Sequence, residues 1–383
     1  MKHYDIIIAG AGVTGAVVAE RCAAAGASVL VVEQRNHIGG NCFDAPDAQG
    51  ILIHPYGPHI FHTSKEPVVE YLSRFTAWRP YEHRVVGMLP GGGAQRLVPL
   101  PFNLTSLQMC FPASQAAHME KALVEGFGMG ASVPILKLRE STNPALNALA
   151  EFIYEQVFLG YTRKQWGLSP TEISPEITGR VPVRVSHDDR YFTDTFQCMP
   201  RDGFTPMFAT MLQHDNITVA TSTAFEDVQD AHSCKACVYT GPIDAYFDYQ
   251  LGALPYRSLD FTFEHYHQPR HLPAGVVNYP DFATPFTRIS EYRILTGQEA
   301  QGTTVSLEYP LAHCPGETIP YYPIITDDNT ALHHRYVALA REEAPHIRFA
   351  GRLGNYRYHN IDDAVLAALH LADDVLALAQ GAC

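Results

Sequence analysis

Two short stretches near the start, Ile6-Ile-Ile-Ala9 and Val29-Leu-Val-Val32, are apolar at every position rather than at alternate ones. A strand shows that pattern when both of its faces are covered, as in a parallel sheet flanked by helices. Strands are therefore expected at residues 4–9 and 28–32, with the alanine-rich sequence between them forming a helix that ends near Gly26. Further along, apolar residues spaced three and four apart predict helices at about 65–75, 114–126, 147–158, 205–214 and 361–380. Apolar and β-branched runs predict strands at 217–220, 236–240, 258–263, 303–308 and 347–351. The stretches from Gly39 to Pro58 and from Arg79 to Phe102 are broken by glycine and proline and read as irregular. The sum is an α/β fold.

The turn between the first strand and the first helix reads Gly10-Ala-Gly12-Val-Thr14-Gly15. Glycines mark many ordinary turns, but this set follows a buried strand and opens a helix, the setting in which a helix N-terminus receives a pyrophosphate. Gly10 permits the tight turn, Gly12 lets backbone N–H groups approach the phosphates, and Gly15 lets helix and strand pack closely. Glu33 closes the second strand, where a carboxylate accepts both ribose hydroxyls of an adenosine and repels a 2′-phosphate. A second glycine pair lies in Arg35-Asn-His-Ile-Gly39-Gly40-Asn41, and Gly351-Arg352-Leu-Gly354 precedes the last helix. Both are similar to features of flavoproteins, so FAD is the expected dinucleotide. Its expected contacts are Gly10, Gly12, Thr14, Gly15, Glu33, Gln34, Gly40, Asn41, Gly351 and Arg352. Both ends of the chain then share a Rossmann-like FAD-binding domain (1–75, 205–245 and 345–383). An inserted, mostly helical subdomain is expected at 103–180, and a β-sheet subdomain at 76–102, 181–204 and 246–344.

At 383 residues, 46% of them hydrophobic, the chain exceeds what one compact core holds. Its formal charge of −13 argues against general affinity for nucleic acid, because polyanion binding needs a basic surface. An anionic substrate then needs a local cluster of arginines. No run approaches the ~18 uninterrupted apolar residues of a membrane span, and the apolar run at Ile6–Ala9 is a strand and not a signal-peptide core. A cytoplasmic protein without membrane insertion is expected. The eight cysteines lack framework spacing, which fits a reducing compartment. Cys234-Lys-Ala-Cys237 has no second CxxC partner and the histidines form no HExxH pattern, so no metal is expected.

The chain has no second GxGxxG for a nicotinamide. It offers instead arginine and aromatic residues in irregular contexts: Tyr161, Arg163, Trp166, Arg180, Arg184, Tyr191, Arg257, Arg288, Tyr322, Arg352 and Tyr358. Arginine pairs bidentately with phosphate, while tyrosine and tryptophan stack on a base or donate from a rigid frame, so the set suits a nucleoside diphosphate. Core aromatics and surface arginines would produce the same composition. Longer segments sharpen the reading: Tyr56-Gly-Pro-His59-Ile-Phe-His62-Thr63, Leu100-Pro-Phe-Asn103, Gly160-Tyr-Thr-Arg-Lys-Gln-Trp166-Gly167, Arg180-Val-Pro-Val-Arg184, Tyr256-Arg257-Ser258-Leu259, Thr287-Arg288 and Tyr321-Tyr322-Pro323. With these, the chain resembles the UDP-galactopyranose mutase family from Tyr4 to about Ala372.

That resemblance implies an isomerase, likewise homodimeric, that interconverts UDP-galactopyranose and UDP-galactofuranose for cell-wall or polysaccharide biosynthesis. Reduced FAD, supplied with electrons by NADH or NADPH, acts there as a nucleophile whose N5 attacks the anomeric carbon, with no net redox change. By matching position, Arg180 on a mobile element and Arg288 clamp the diphosphate, and Tyr191, Tyr322 and Tyr358 donate to its phosphates. Tyr161 and Trp166 frame the uridine, and Asn278 joins the substrate contacts. His59 and His62 fall beside the flavin, with a packing role open for His62; Arg352 contacts the flavin or its ribityl phosphate region. Arg257 is open between a structural role and lining the site.

Four places depart from the family pattern. Asn360 stands two positions after Tyr358, where the family usually has an acidic residue, and His83 lies where contacts to uracil are expected. Arg79-Pro80 and the Pro90-Gly-Gly-Gly93 turn are individual to this chain. These departures leave open the same ring contraction on UDP-N-acetylgalactosamine or dTDP-fucose. A net FAD-dependent oxidoreductase and an inactive nucleotide-sugar binder are the remaining readings.

Overall fold

The computed structural model describes residues 2–91, 94–229 and 231–381. Its contacts divide the chain into two compact units, one of residues 1–80, 194–256 and 315–383, the other of residues 81–193 and 257–314. The first unit is built on a five-stranded parallel sheet in the order Ile217–Thr221, Val29–Glu33, Ile6–Ala9, Ala236–Tyr239, Ile347–Phe349. Ile6–Ala9 and Val29–Glu33 are buried at every position, which is what their unbroken apolar runs require. Each such Ile or Val side chain contributes roughly 1.5–3 kcal/mol by leaving water. On one face, the helix Val13–Ala24 packs along the last helix, Ile361–Ala379. Buried Ala16, Ala19, Ala23, Ala368 and Ala372 let the two approach closely. On the other face, Ile7, Leu30 and Val32 pack against Phe225, Phe247 and Tyr336. A three-stranded antiparallel sheet of Phe61–Thr63, Phe196–Pro200 and Trp78–Pro80 completes the unit.

The second unit has a sheet ordered Tyr256–Tyr266, Thr303–Ala312, Arg288–Glu291, Val276–Asn278, Val85–Gly91, Ala94–Leu100. Its last two strands correct the irregular reading of residues 79–102. Val85, Leu89, Val98 and Leu100 are buried, so the alternation of a half-covered strand was present but interrupted by prolines. Pro99 is tolerated because its strand is the edge of the sheet, where a missing N–H breaks no ladder. Gly92 and Gly93 of the Pro90–Gly93 turn lie outside the described residues.

The same core takes in Leu104, Leu107, Leu149 and Ile153 from the helices, so helices and sheet form one unit. The helix Leu104–Cys110 starts at a reciprocal cap in which Asn103 Oδ1 accepts the Ser106 N–H at 2.9 Å and Ser106 Oγ accepts the Asn103 N–H at 3.2 Å. Pro144–Ile153 continues through a π-helical turn, Tyr154–Leu159, into a further helix, Gly160–Trp166. The sequence reading ended this helix near 158 and left the aromatic segment after it unassigned. Gly167, at φ +71°, stops it in the left-handed conformation that glycine adopts without strain.

Candidate active site

In the first unit the glycines form a cradle made of backbone. Gly10 turns at φ +107°, and a Cβ on Gly15 would lie 1.9 Å from the Gly10 carbonyl oxygen, so strand and helix meet only because that position is bare. Gly12 and Gly40 face each other: a Cβ on Gly40 would lie 2.9 Å from Gly12 Cα. On Gly12 a Cβ would meet nothing nearer than the Gly40 Cα, at 3.6 Å. No side chain caps the helix that starts here, which leaves its N-terminus to an anion. Gly351, at φ +78°, adjoins Thr14, where a Cβ would come within 3.3 Å of the Thr14 hydroxyl.

Glu33 is buried at the strand end, its two oxygens accepting the N–H groups of Ala11 and Arg35, each at 3.0 Å. Asn41 Oδ1 accepts from Arg35 at 2.9 Å, and the Arg35 guanidinium lies 4.4 Å from the Tyr56 ring. Gln34 is exposed. A bare glycine cradle, an uncapped helix N-terminus and a fixed buried carboxylate fit a dinucleotide with its pyrophosphate at residues 10–15.

The histidine loop of the same unit is held by residues that sequence reasoning missed. Buried His54 accepts the His59 N–H on Nδ1 at 3.0 Å, and burial pulls its pKa down to about 4. His59 Nδ1 donates to the Gly57 carbonyl at 2.9 Å, which sets the direction of the ring. His62 Nδ1 donates to Asp194 at 2.9 Å. Asp44 accepts the N–H groups of Phe204 and Thr205 at 2.6 and 2.8 Å, capping the helix Phe204–Leu212, and burial raises its pKa. Asp194 is far from His62 in sequence, and no local motif announces the pair.

Arg352, Tyr322 and Tyr358 come together as one cluster. The two tyrosine rings stack 5.5 Å apart and 6° from parallel, with the Arg352 guanidinium 5.1 Å from each. Arg352 also donates to the carbonyls of Tyr321 and His359, which fixes its direction. Asn360 is the N-cap position of the last helix.

In the second unit, Arg288 donates through Nε and Nη2 to one oxygen of Glu308, at 2.8 and 2.6 Å, while Thr287 donates to the other at 3.2 Å. Glu308 is buried, so this carboxylate orients the arginine. It was not foreseen; Arg288 and Glu308 become partners only through strand register. Buried Arg184 donates to the carbonyls of Arg190 and Tyr191 at 2.6 and 2.7 Å and so holds the segment that presents Tyr191. His83 is buried too. Its carbonyl accepts the Tyr191 N–H at 2.7 Å and its ring stacks on Phe192, which makes it a support for Tyr191.

Arg257 donates to the carbonyls of Gln165 and Lys164 at 2.8 and 3.0 Å, closing the C-terminal end of the helix Gly160–Trp166, and burial lowers its pKa. Those bonds are the contacts that a structural role requires. Tyr161 is half-buried and Trp166 buried on that helix; Asn278 ends the strand Val276–Asn278; Arg180 is exposed after the short helix Pro175–Thr178. Among the described residues no three His, Cys, Asp or Glu side chains gather as a metal site.

A family model described as UDP-galactopyranose mutase matches residues 156–358, and one described as an NAD(P)-binding Rossmann-like domain matches residues 8–75. A relative from Klebsiella pneumoniae named "Probable UDP-galactopyranose mutase" is 38% identical over 381 residues, covering 98% of this chain and 96% of its own. The chain belongs to the UDP-galactopyranose mutase family. Membership makes it an enzyme of the isomerase class, and the Rossmann-like α/β architecture is the one the sequence predicts. A dTDP-fucopyranose mutase of Escherichia coli is 33% identical, covering 96% of this chain and 97% of its own. Among solved structures, a reduced UDP-galactopyranose mutase aligns with TM-score 0.72 at 16% identity, over 98% of this chain and 94% of its own. A putrescine oxidase aligns with TM-score 0.58 at 14% identity, over 98% and 99%. Those two likenesses are of fold.

Proposed function

We propose that this chain binds FAD and interconverts UDP-galactopyranose and UDP-galactofuranose. The observation that carries the reading is a single glycine cradle, with no second dinucleotide motif, in a chain 38% identical along 98% of its length to a relative named as such a mutase. When bound, reduced FAD supplies the nucleophile for the anomeric carbon, so that the ring opens and recloses without net redox change.

The protein's share is to hold and orient. The backbone at Gly10–Gly15 and Gly40 receives the pyrophosphate and Glu33 the ribose. His59 and His62 take the flavin side, each with its ring direction set by the hydrogen bond of Nδ1. Arg180, Arg288 and Tyr191 hold the diphosphate while it is a leaving group, because UDP set free would diffuse away before the ring recloses. Tyr161 and Trp166 frame the uridine.

A second reading keeps the chemistry and changes the sugar nucleotide to dTDP-fucose, favoured by the relative at 33% identity and by Asn360. The test is ring interconversion by dithionite-reduced protein with UDP-galactofuranose, UDP-N-acetylgalactosamine and dTDP-fucose in parallel. Conversion of the first only with reduced flavin supports the proposal. Full activity in the oxidised protein, or substrate-dependent peroxide release, overturns it.

A further inference from the structure

The helix Gly160–Trp166 and the turn joining the strands Val276–Asn278 and Arg288–Glu291 are docked on each other through one helical face. Gly160 and Lys164 are one turn apart and share that face. Gly160 backs onto the turn so closely that a Cβ would lie 2.0 Å from the Pro280 carbonyl oxygen. The Lys164 ammonium donates to the carbonyls of Tyr279, of Thr284 at 3.1 Å and of Phe286 at 2.9 Å. An ammonium has three protons, and all three are used.

The turn does not need the lysine for its own shape. Asp281 closes it from within, accepting the N–H groups of Ala283 and Thr284 and the Thr284 hydroxyl at 2.8–2.9 Å. What Lys164 adds is attachment, tying both limbs of the turn to the helix. The strands on either side of the clamped segment end at Asn278 and begin at Arg288, and the residues near Lys164 on the helix include Tyr161 and Trp166. We propose that Lys164 is a positioning residue which sets the spacing between the uridine-framing helix and the diphosphate-holding hairpin, so that a UDP moiety spans both at once. This rests on the mutase reading above. A ligand that engages two subsites is sensitive to the distance between them, whereas a ligand that touches one is not.

The experiment compares FAD-loaded wild type with Lys164→Met and the milder Lys164→Gln, which keeps an N–H donor, by calorimetric titration with uridine and with UDP. The expected result is UDP binding weakened about tenfold in Lys164→Met and less in Lys164→Gln, with uridine binding held within about twofold in both. Turnover should lose KM more than kcat. Equal weakening of uridine and UDP would mean a general loosening of the unit, and unchanged UDP binding would mean no role at all; either overturns the proposal. Should the methionine variant fail to fold, the glutamine variant alone carries the same comparison. Wild-type protein that binds neither ligand would overturn the mutase reading, and this inference with it.

Discussion

The two units build their candidate anion sites in different ways. In the first, the cradle is backbone: Gly10, Gly12, Gly15 and Gly40 act by having no side chain, and each lies within a few residues of the strand or helix it serves. In the second, the groups proposed for the diphosphate are side chains, and each is aimed by a partner from elsewhere in the chain: Arg288 by Glu308, Tyr191 by Arg184 and His83, the hairpin by Lys164. A backbone site is specified locally and tolerates no added atoms. A side-chain site is specified by packing and degrades in steps as its supports are removed.

The largest effect should come from adding an atom to the backbone site. Gly12→Val has room to fold, since a Cβ there meets only Gly40 at 3.6 Å, but it fills the cradle. Flavin affinity should fall by more than about a hundredfold and the protein should purify colourless yet folded by circular dichroism. Retention of a full flavin spectrum would remove the cradle from residues 10–15. Gly15→Val should fail differently, as loss of soluble protein, because the Gly10 carbonyl stands 1.9 Å from its Cβ.

Removal of side chains in the second unit should spare the flavin and reduce turnover by degrees. Arg180→Ala should lower kcat/KM about a thousandfold with FAD still bound, since its charge is proposed to act on the leaving diphosphate. Glu308→Gln should act through Arg288, whose guanidinium loses its fixed direction; a fall of up to about a hundredfold is expected. Flavin loss in either variant would break the division between the two kinds of site.

The same contrast explains what was legible in the sequence. Buried strands at residues 6–9 and 29–33, the glycine turn and Glu33 could be read because pattern and consequence are adjacent in the chain. The hairpin at 85–100 was hidden because Pro99 looks like a break until its strand is known to be an edge. Glu308, Asp194, His54 and Lys164 carry no local signature. The contacts of His83 with Tyr191 and Phe192 were equally hidden, because they depend on which segments come together.

A smaller effect should appear as acid sensitivity of the histidine loop. Burial holds His54 at about 4 in the folded protein against 6.5 for the free side chain. Between those values the unfolded chain binds the proton and the folded chain does not, so the stability this group contributes is present above pH 6.5 and is lost as pH falls toward 4. The loss should reach about 2 kcal/mol by pH 5, partly offset by the Asp44 carboxyl 3.9 Å from Nε2. Urea unfolding at pH 7 and pH 5 measures it, and His54→Gln should flatten the difference. An equally steep pH dependence in that variant would assign the acid sensitivity to other groups.

The smallest effect should come from Asn360→Asp, which restores the acidic residue of the family pattern. Asn360 is the N-cap position of the last helix but makes no capping bond with its side chain, and Asp and Asn serve that position about equally, so stability should change by less than ~0.5 kcal/mol. The added charge joins Asp362 and Asp363 at a helix start, with Lys65 already bound to both of them. A carboxylate is favourable near a helix N-terminus, and Lys65 limits the repulsion. Turnover of UDP-galactofuranose should therefore stay within about threefold of the parent enzyme. A larger rise for UDP-galactofuranose, with a matching fall for dTDP-fucose, would instead make position 360 a determinant of which sugar nucleotide is accepted, and would move the specificity of this enzyme into its first unit.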